Sequence, residues 1–91
     1  MGRYRVKISE YAAEHLKAHR RNGDRGTIKR IDRILSELEG HPETGIGNPE
    51  RLKHEYSGYW SRRLSSEHRL IYRIEDEEVT VFVVSAMGHY R

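Results

Sequence analysis

The first half of the chain changes hydrophobic period once, from two to about 3.6. Residues 4–8 alternate apolar and basic side chains, as in a half-buried strand, which directs Tyr4, Val6 and Ile8 inward. Ser9 follows as a candidate helix N-cap, since its hydroxyl can accept from the unpaired amides of a first helical turn. A narrow apolar face then runs until the Asn-Gly pair at residues 22–23. Its members are Ala12, Ala13 and Leu16.

A wider apolar stripe marks a second helix. It can be capped by Asp24 or Thr27 and is stopped by Gly40 followed by Pro42. The stripe recurs at three- and four-residue steps, at Ile28, Ile31, Ile34, Leu35 and Leu38. The opposite face, which includes Glu37, is typical of a solvated surface. Together the two helices predict an antiparallel hairpin.

The second half of the chain returns to a period of two after a Gly- and Pro-containing loop at residues 41–49. Residues 51–56, 59–64, 68–74 and 79–86 are four strand candidates, and their short connections favour antiparallel neighbours. The last of these is apolar on both faces and is expected at the centre of the sheet.

Alternation in residues 68–74 assigns Leu70, Tyr72 and Ile74 to one face of that strand and sends Arg69, Ile71 and Arg73 to the other. We expect the helices to cover the apolar face and to leave the arginine-bearing face open. The predicted fold class is α+β, with two N-terminal helices packed on one face of a twisted, antiparallel-dominated β-sheet of four to five strands. A chain of 91 residues suits a single domain over residues 1–91.

Composition and charge limit the kinds of function that the chain can have. The formal charge is +3, and six Lys and Arg against three Glu between residues 50 and 73 make the basic character local. No cysteine is present, which excludes disulfides and thiolate chemistry. No apolar run resembles a signal peptide or a membrane span, so a cytoplasmic protein without a membrane partner is expected. We expect no metal and no cofactor, because the histidines of the second half lack ligand spacing.

Residues 50–72 combine basic groups that can hold phosphates, aromatic rings that can stack on bases, and a Glu/His pair that can move protons. For RNA cleavage by the 2'-hydroxyl, Glu50 is a candidate base and His89 a candidate acid. Arg69 and Lys53 are candidate phosphate clamps, and Tyr90 can stack on a base or bond the phosphate. From residue types alone each residue has a simpler explanation: Glu50 as a surface glutamate, Arg69 as a solvated or paired strand arginine, and His89-Tyr90 as a frayed tail.

Three motifs in order make the pattern specific. They are Asn-Pro-Glu-x-Leu-Lys-His at 48–54, Ser-Gly-Tyr-Trp-Ser-Arg-Arg at 57–63 and Glu-His-Arg-Leu-Ile-Tyr at 67–72, followed by His-Tyr at 89–90. In this the chain closely resembles the YoeB/Txe toxins of the RelE superfamily, ribosome-associated mRNA endonucleases of bacterial toxin–antitoxin modules. The first strand and the helix hairpin agree with this family in order and length, but they carry no residues specific to it.

The resemblance implies Glu50 as general base, His89 as general acid and Arg69 as main phosphate stabiliser, with Tyr90 completing the catalytic set. The expected products are a 2',3'-cyclic phosphate and a 5'-hydroxyl, with no metal. The family's lysine and its other arginine fall on Lys53 and Arg63. The neighbouring His54 and Arg62 are also assigned to RNA or phosphate contact.

The partners implied by the resemblance are mRNA on the ribosome and a cognate YefM/Axe-like antitoxin that covers the active site, with a homodimer as a further possibility. The competing hypothesis is a catalytically inactive or gyrase-inhibiting toxin of the RelE/ParE fold, or an RNA-binding module. Two residues depart from the family pattern. Arg51 stands where proline is common, and Arg91 extends the chain past the usual terminal tyrosine.

Overall fold

The computed structural model describes residues 3–88 and contains two helices and five strands. The elements are β1 (Arg5–Ile8), α1 (Glu10–Asn22), α2 (Arg25–Gly40), β2 (Glu50–Arg51), β3 (Trp60–Arg63), β4 (Arg69–Glu75) and β5 (Thr80–Ser85). The strands form one mixed sheet in the order β1-β5-β4-β3-β2. Only the β1–β5 pairing is parallel, so the predicted antiparallel-dominated α+β fold is confirmed. Neither helix is long and apolar enough, within residues 3–88, to cross a membrane.

Both helices begin and end at the predicted positions. The Ser9 hydroxyl accepts from the Ala12 amide at 3.0 Å, and the Asp24 carboxylate accepts from the Thr27 amide at 2.7 Å. Gly23 closes α1 by donating to the His19 carbonyl at 2.6 Å. A Cβ at Gly23 would lie 2.5 Å from that oxygen, so the tight turn between the helices requires glycine.

The hydrophobic core lies between the helix hairpin and one face of the sheet. Leu70 and Tyr72 of β4 are fully buried against it and Ile74 packs at its margin, as the alternation predicts. The helices and β5 supply most of the remaining core residues, which include Ala12, Leu16, Ile31, Ile34, Leu38, Val81 and Val83. The other face of the sheet carries Arg69, opposite Arg63 in the β3–β4 ladder.

Three expectations about the strands are wrong in detail. Residues 51–56 are not a strand: β2 stops at Arg51, and a 3₁₀ turn at His54–Tyr56 follows, with His54 at a φ of 59° that ends extended pairing. The central strand is β4, since β1 lies outside β5 and pairs with it. Ile8, at the end of edge strand β1, is 41% exposed and not directed into the core.

Arg62 is the largest correction, because its side chain is fully buried and cannot contact RNA from the open face. Trp60, Arg62 and Leu64 alternate onto the helix side of the sheet. The Arg62 guanidinium donates to the Glu37 carboxylate at 2.6 Å, and Glu37 is 13% exposed rather than solvated. The Arg62 guanidinium also donates to the Tyr72 hydroxyl and to the carbonyls of His41, Thr44 and Ile46. Arg62 therefore fastens the loop at residues 41–49 to the core.

Replacing Arg62 with alanine would leave Glu37 without its main partner and free several loop carbonyls. We expect the free energy of unfolding to fall by roughly 3–5 kcal/mol, the usual cost of breaking a buried ion pair. Urea denaturation measures it. The exposed neighbour Arg63 is the matched control, and Arg63→Ala should change the free energy by less than about 0.5 kcal/mol. Equal losses in the two variants would contradict the assignment.

The Glu37 carboxylate makes the stability depend on pH. Burial alone would raise its pKa, but hydrogen bonds from Arg62, the Ile46 amide and Arg33 outweigh burial and place the pKa below the ordinary value of 4.5. A carboxylate with a lower pKa in the folded chain contributes stability above its unfolded pKa, and this contribution is lost as pH falls through the folded pKa.

We therefore expect the free energy of unfolding to decline below about pH 4.5, and Glu37→Gln to be less stable at neutral pH with a shallower acid decline. Urea titrations of both proteins between roughly pH 3 and pH 7 measure the two slopes. Parallel slopes would show that the titration of another group is responsible.

Candidate functional site

Three neighbouring strands bring a carboxylate, a hydroxyl and two guanidinium groups onto the open face. Glu50 of β2 lies opposite Ser61 of β3, and Arg63 of β3 lies opposite Arg69 of β4. Residues two apart on a strand share a face, so all four side chains project to the same side. The positions follow from strand register and not from proximity in the sequence.

Glu50 and Arg69 form the centre of this group. The Arg69 Nη1 atom lies 3.8 Å from the Glu50 Oε1 atom and donates to the Ser61 hydroxyl at 3.4 Å. The Arg69 side chain is 15% exposed, whereas that of Glu50 is 49% exposed. The arginine is therefore held in place against the sheet, and the carboxylate remains accessible to a ligand.

Arg63 adds a second positive charge beside this pair. It is exposed and directly opposite Arg69 in the β3–β4 ladder. Like charges at opposed positions of an antiparallel pair repel each other, and an anion between them relieves the repulsion. A guanidinium pair of this kind suits a phosphate group, whose oxygens match the planar donors of arginine.

An aromatic cavity of about 460 Å³ adjoins the charged group. Ile71, which lies opposite Ser61 and two residues after Arg69 on the same face, is one of its lining residues. Its lining includes Tyr11, Tyr56, Tyr59 and Met87. Rings and a thioether around a cavity of this size can receive a planar group such as a nucleobase.

Trp60 does not belong to this aromatic surface, although it follows Tyr59 in the sequence. Its ring stacks on that of the buried Tyr72, with 6.5 Å between the centroids. The guanidinium of Arg51 lies over the Trp60 ring at 5.5 Å. Arg51 thus covers an aromatic side chain next to Glu50.

The remaining predicted site residues lie at the edges of the site. Lys53 and His54 are exposed at the 3₁₀ turn that follows β2. His89 and Tyr90 lie outside the described residues. Gly88, which directly precedes His89 in the sequence, accepts a hydrogen bond from the Arg69 amide at 3.0 Å. The described chain therefore ends beside the Arg69 backbone.

Sequence reasoning missed Ser61 and two histidines of α1, His15 and His19. Ser61 is fully buried and bonds Arg69. His15 and His19 bond the backbone of Ala86, and His68 bonds that of Gly88. The four-residue spacing of His15 and His19, around the apolar Leu16, was the available signal. Within residues 3–88, no group of three His, Asp or Glu side chains is arranged to hold a metal ion.

Comparison with known proteins agrees with this architecture. Residues 10–90 match the family described as "YoeB-like toxin of bacterial type II toxin-antitoxin system". Toxin YoeB of Mycobacterium bovis is 52% identical over 67 residues, which cover 74% of this chain and 76% of the relative.

Two solved structures from Staphylococcus aureus have the same fold. One is a YoeB dimer, with a TM-score of 0.81 and 34% identity, and the other is a heterotetrameric YoeB–YefM toxin–antitoxin complex, with a TM-score of 0.78 and 35% identity. Each similarity covers 97% of this chain and 99% of the compared chain. On the family match and these identities, the chain belongs to the YoeB-like toxins of bacterial type II toxin–antitoxin systems.

Proposed function

We propose that this toxin is a ribosome-dependent endoribonuclease that cleaves mRNA in the ribosomal A site and so inhibits translation. The observation that carries the proposal is the Glu50–Arg69 pair on the sheet face opposite the hydrophobic core, with Arg63 opposite Arg69 and Gly88 bonded to the Arg69 backbone. A carboxylate, two guanidinium groups and the end of the described chain at Gly88 thus meet at one place.

The chemistry needs no added reactant. The 2'-oxygen forms a bond to phosphorus while Glu50 takes its proton, and the bond from phosphorus to the 5'-oxygen breaks as His89 donates a proton to that oxygen. Arg69 stabilises the negative charge that builds up on the phosphate oxygens, and Tyr90 assists by stacking on a base or bonding the phosphate. The products are a 2',3'-cyclic phosphate and a 5'-hydroxyl. No metal enters this scheme.

The surrounding residues supply substrate binding. Arg63, Lys53 and His54 are exposed near Glu50 or Arg69 and contact the RNA backbone. The aromatic cavity receives a base beside the scissile phosphate. Because Glu50 is half exposed on an open face, the toxin alone orders the substrate poorly, and the ribosome supplies the missing positioning. This activity belongs to a single domain in the cytoplasm.

The same surface is the proposed binding site for the antitoxin. Arg63 and Arg69 next to a tyrosine-lined cavity suit a peptide with acidic and apolar side chains. The related Staphylococcus aureus toxin forms a complex with YefM. A YefM/Axe-like antitoxin segment covers this face in the present protein and blocks mRNA. The related YoeB dimer supports a homodimer of the free toxin.

Cleavage of ribosome-bound mRNA tests the proposal directly. Primer extension on programmed ribosomes should show cuts in the A-site codon with the unaltered protein. Glu50→Gln and His89→Ala should each lower the rate by about 10²-fold or more, because each removes a proton-transfer group. Arg69→Lys should lower it by a similar factor while ribosome binding persists, since lysine keeps the charge and loses the planar donor set.

Arg73→Lys is the matched control, because Arg73 lies on the same strand but bonds Glu75 and stacks on Phe82. Its cleavage rate should equal that of the unaltered protein. Intact A-site mRNA with the unaltered protein would contradict the proposal. So would full toxicity of Glu50→Gln, which would favour a non-enzymatic toxin of the same fold.

A further inference from the structure

The chain after β5 is held by imidazoles instead of by another strand. β5 ends at Ser85, and the next residue, Ala86, is fully buried. Its amide donates to the Nδ1 atom of His15 at 3.0 Å, and its carbonyl bonds the Nε2 atom of His19 at 2.7 Å. A carbonyl only accepts, so the proton of His19 lies on Nε2. Two residues of α1 thereby satisfy the backbone where the sheet stops.

Gly88 is also held through its backbone, by residues that precede or begin β4 instead of residues of α1. Its amide donates to the Nδ1 atom of His68 at 3.0 Å, and its carbonyl accepts from the Arg69 amide at 3.0 Å. Both backbone polar groups of Gly88 are therefore bonded by two consecutive residues. The second of these is the arginine that faces Glu50.

His68 is itself fixed by its neighbours. Its amide donates to the Ser65 hydroxyl at 3.2 Å, and its carbonyl accepts from the Leu64 amide at 2.9 Å. Its ring packs edge-on against that of His19, with 4.9 Å between the centroids. The Nδ1 lone pair is thus held at a defined place beside the start of β4. An acceptor fixed in this way determines the direction in which the Gly88 amide points.

From these contacts we infer that His68 is a positioning residue for the cleavage reaction: it orients the Gly88 peptide, from which the chain continues into His89 and Tyr90, relative to Arg69. This inference rests on the proposed function. His68 does not transfer a proton in it. Its role is to accept the Gly88 amide, which fixes the Gly88 peptide beside the Arg69 backbone.

Two substitutions of His68 test whether its acceptor for the Gly88 amide is what the reaction needs. The Oδ1 atom of asparagine takes the place of the histidine Nδ1 atom, so His68→Asn keeps an acceptor for Gly88 whereas His68→Ala does not. In single-turnover cleavage on programmed ribosomes, His68→Ala should lower the maximal rate by roughly 10- to 100-fold, because small misplacements of a reacting group have effects of this size. The ribosome concentration that gives half the maximal rate should stay within about twofold, and His68→Asn should recover most of the rate.

Two further measurements distinguish positioning from unfolding. The amide proton of Gly88 should resonate downfield in the unaltered protein and in His68→Asn, and move upfield in His68→Ala. Glu67→Ala, in the same turn with its carboxylate 4.0 Å from the His68 Nε2 atom, is the control and should leave the rate unchanged. Thermal unfolding of every variant shows whether the fold persists.

The inference is overturned if His68→Ala cleaves at the unaltered rate, or if His68→Asn is as slow as His68→Ala while both are folded. Failure of the unaltered protein to cleave would overturn the proposed function, and the inference with it. The two failures are distinguishable because the first occurs only when the unaltered protein is active.

Discussion

The buried guanidinium of Arg62 is the interaction on which the loop beside the candidate site depends. A charge removed from water is tolerated only where its donors are satisfied, and Arg62 meets this condition through Glu37, Tyr72 and three carbonyls of the loop at residues 41–49. That loop leads directly into Glu50. Arg63 extends the attachment, because its amide donates to the Gly47 carbonyl at 2.7 Å. An arginine on the other side of the sheet thus holds the loop that leads into Glu50, and the β2–β3 pairing places Glu50 opposite Ser61.

Strand alternation explains both the successes and the main error of sequence reasoning. It assigned Leu70 and Tyr72 to the core and Arg69 to the open face, and it was correct because apolar residues mark the inner face of β4 unambiguously. Applied to β3, the same rule places Arg62 between Trp60 and Leu64 on the inner face. Sequence reasoning nevertheless assigned Arg62 to RNA contact, because it gave the charge of the side chain more weight than its position in the alternation. The carboxylate that makes the burial possible, Glu37, is 25 residues away in the sequence and could not be paired with Arg62 by pattern alone.

Other features were outside the reach of local patterns for a different reason. The parallel β1–β5 pairing joins residues about 75 positions apart, and the period of a strand does not specify its partner. The 3₁₀ turn at His54–Tyr56 interrupts a segment whose composition suits a strand, because His54 adopts a positive φ that composition does not reveal. The family motifs named Glu50 and Arg69, whose Oε1 and Nη1 atoms lie 3.8 Å apart, but only the register placed Ser61 beneath Arg69.

The two ends of the candidate site are held by the same kind of contact. Glu50 is reached from a loop held by Arg62, and Gly88 is held by His68 and the Arg69 amide. In both places polar side chains bond backbone groups that have no strand partner, which is the requirement for burying irregular backbone. Hydrogen bonds are directional, whereas apolar packing is not, so they can fix the orientation of a short segment that the core does not enclose. The apolar core therefore determines the fold, and these polar contacts determine how the site is assembled on it.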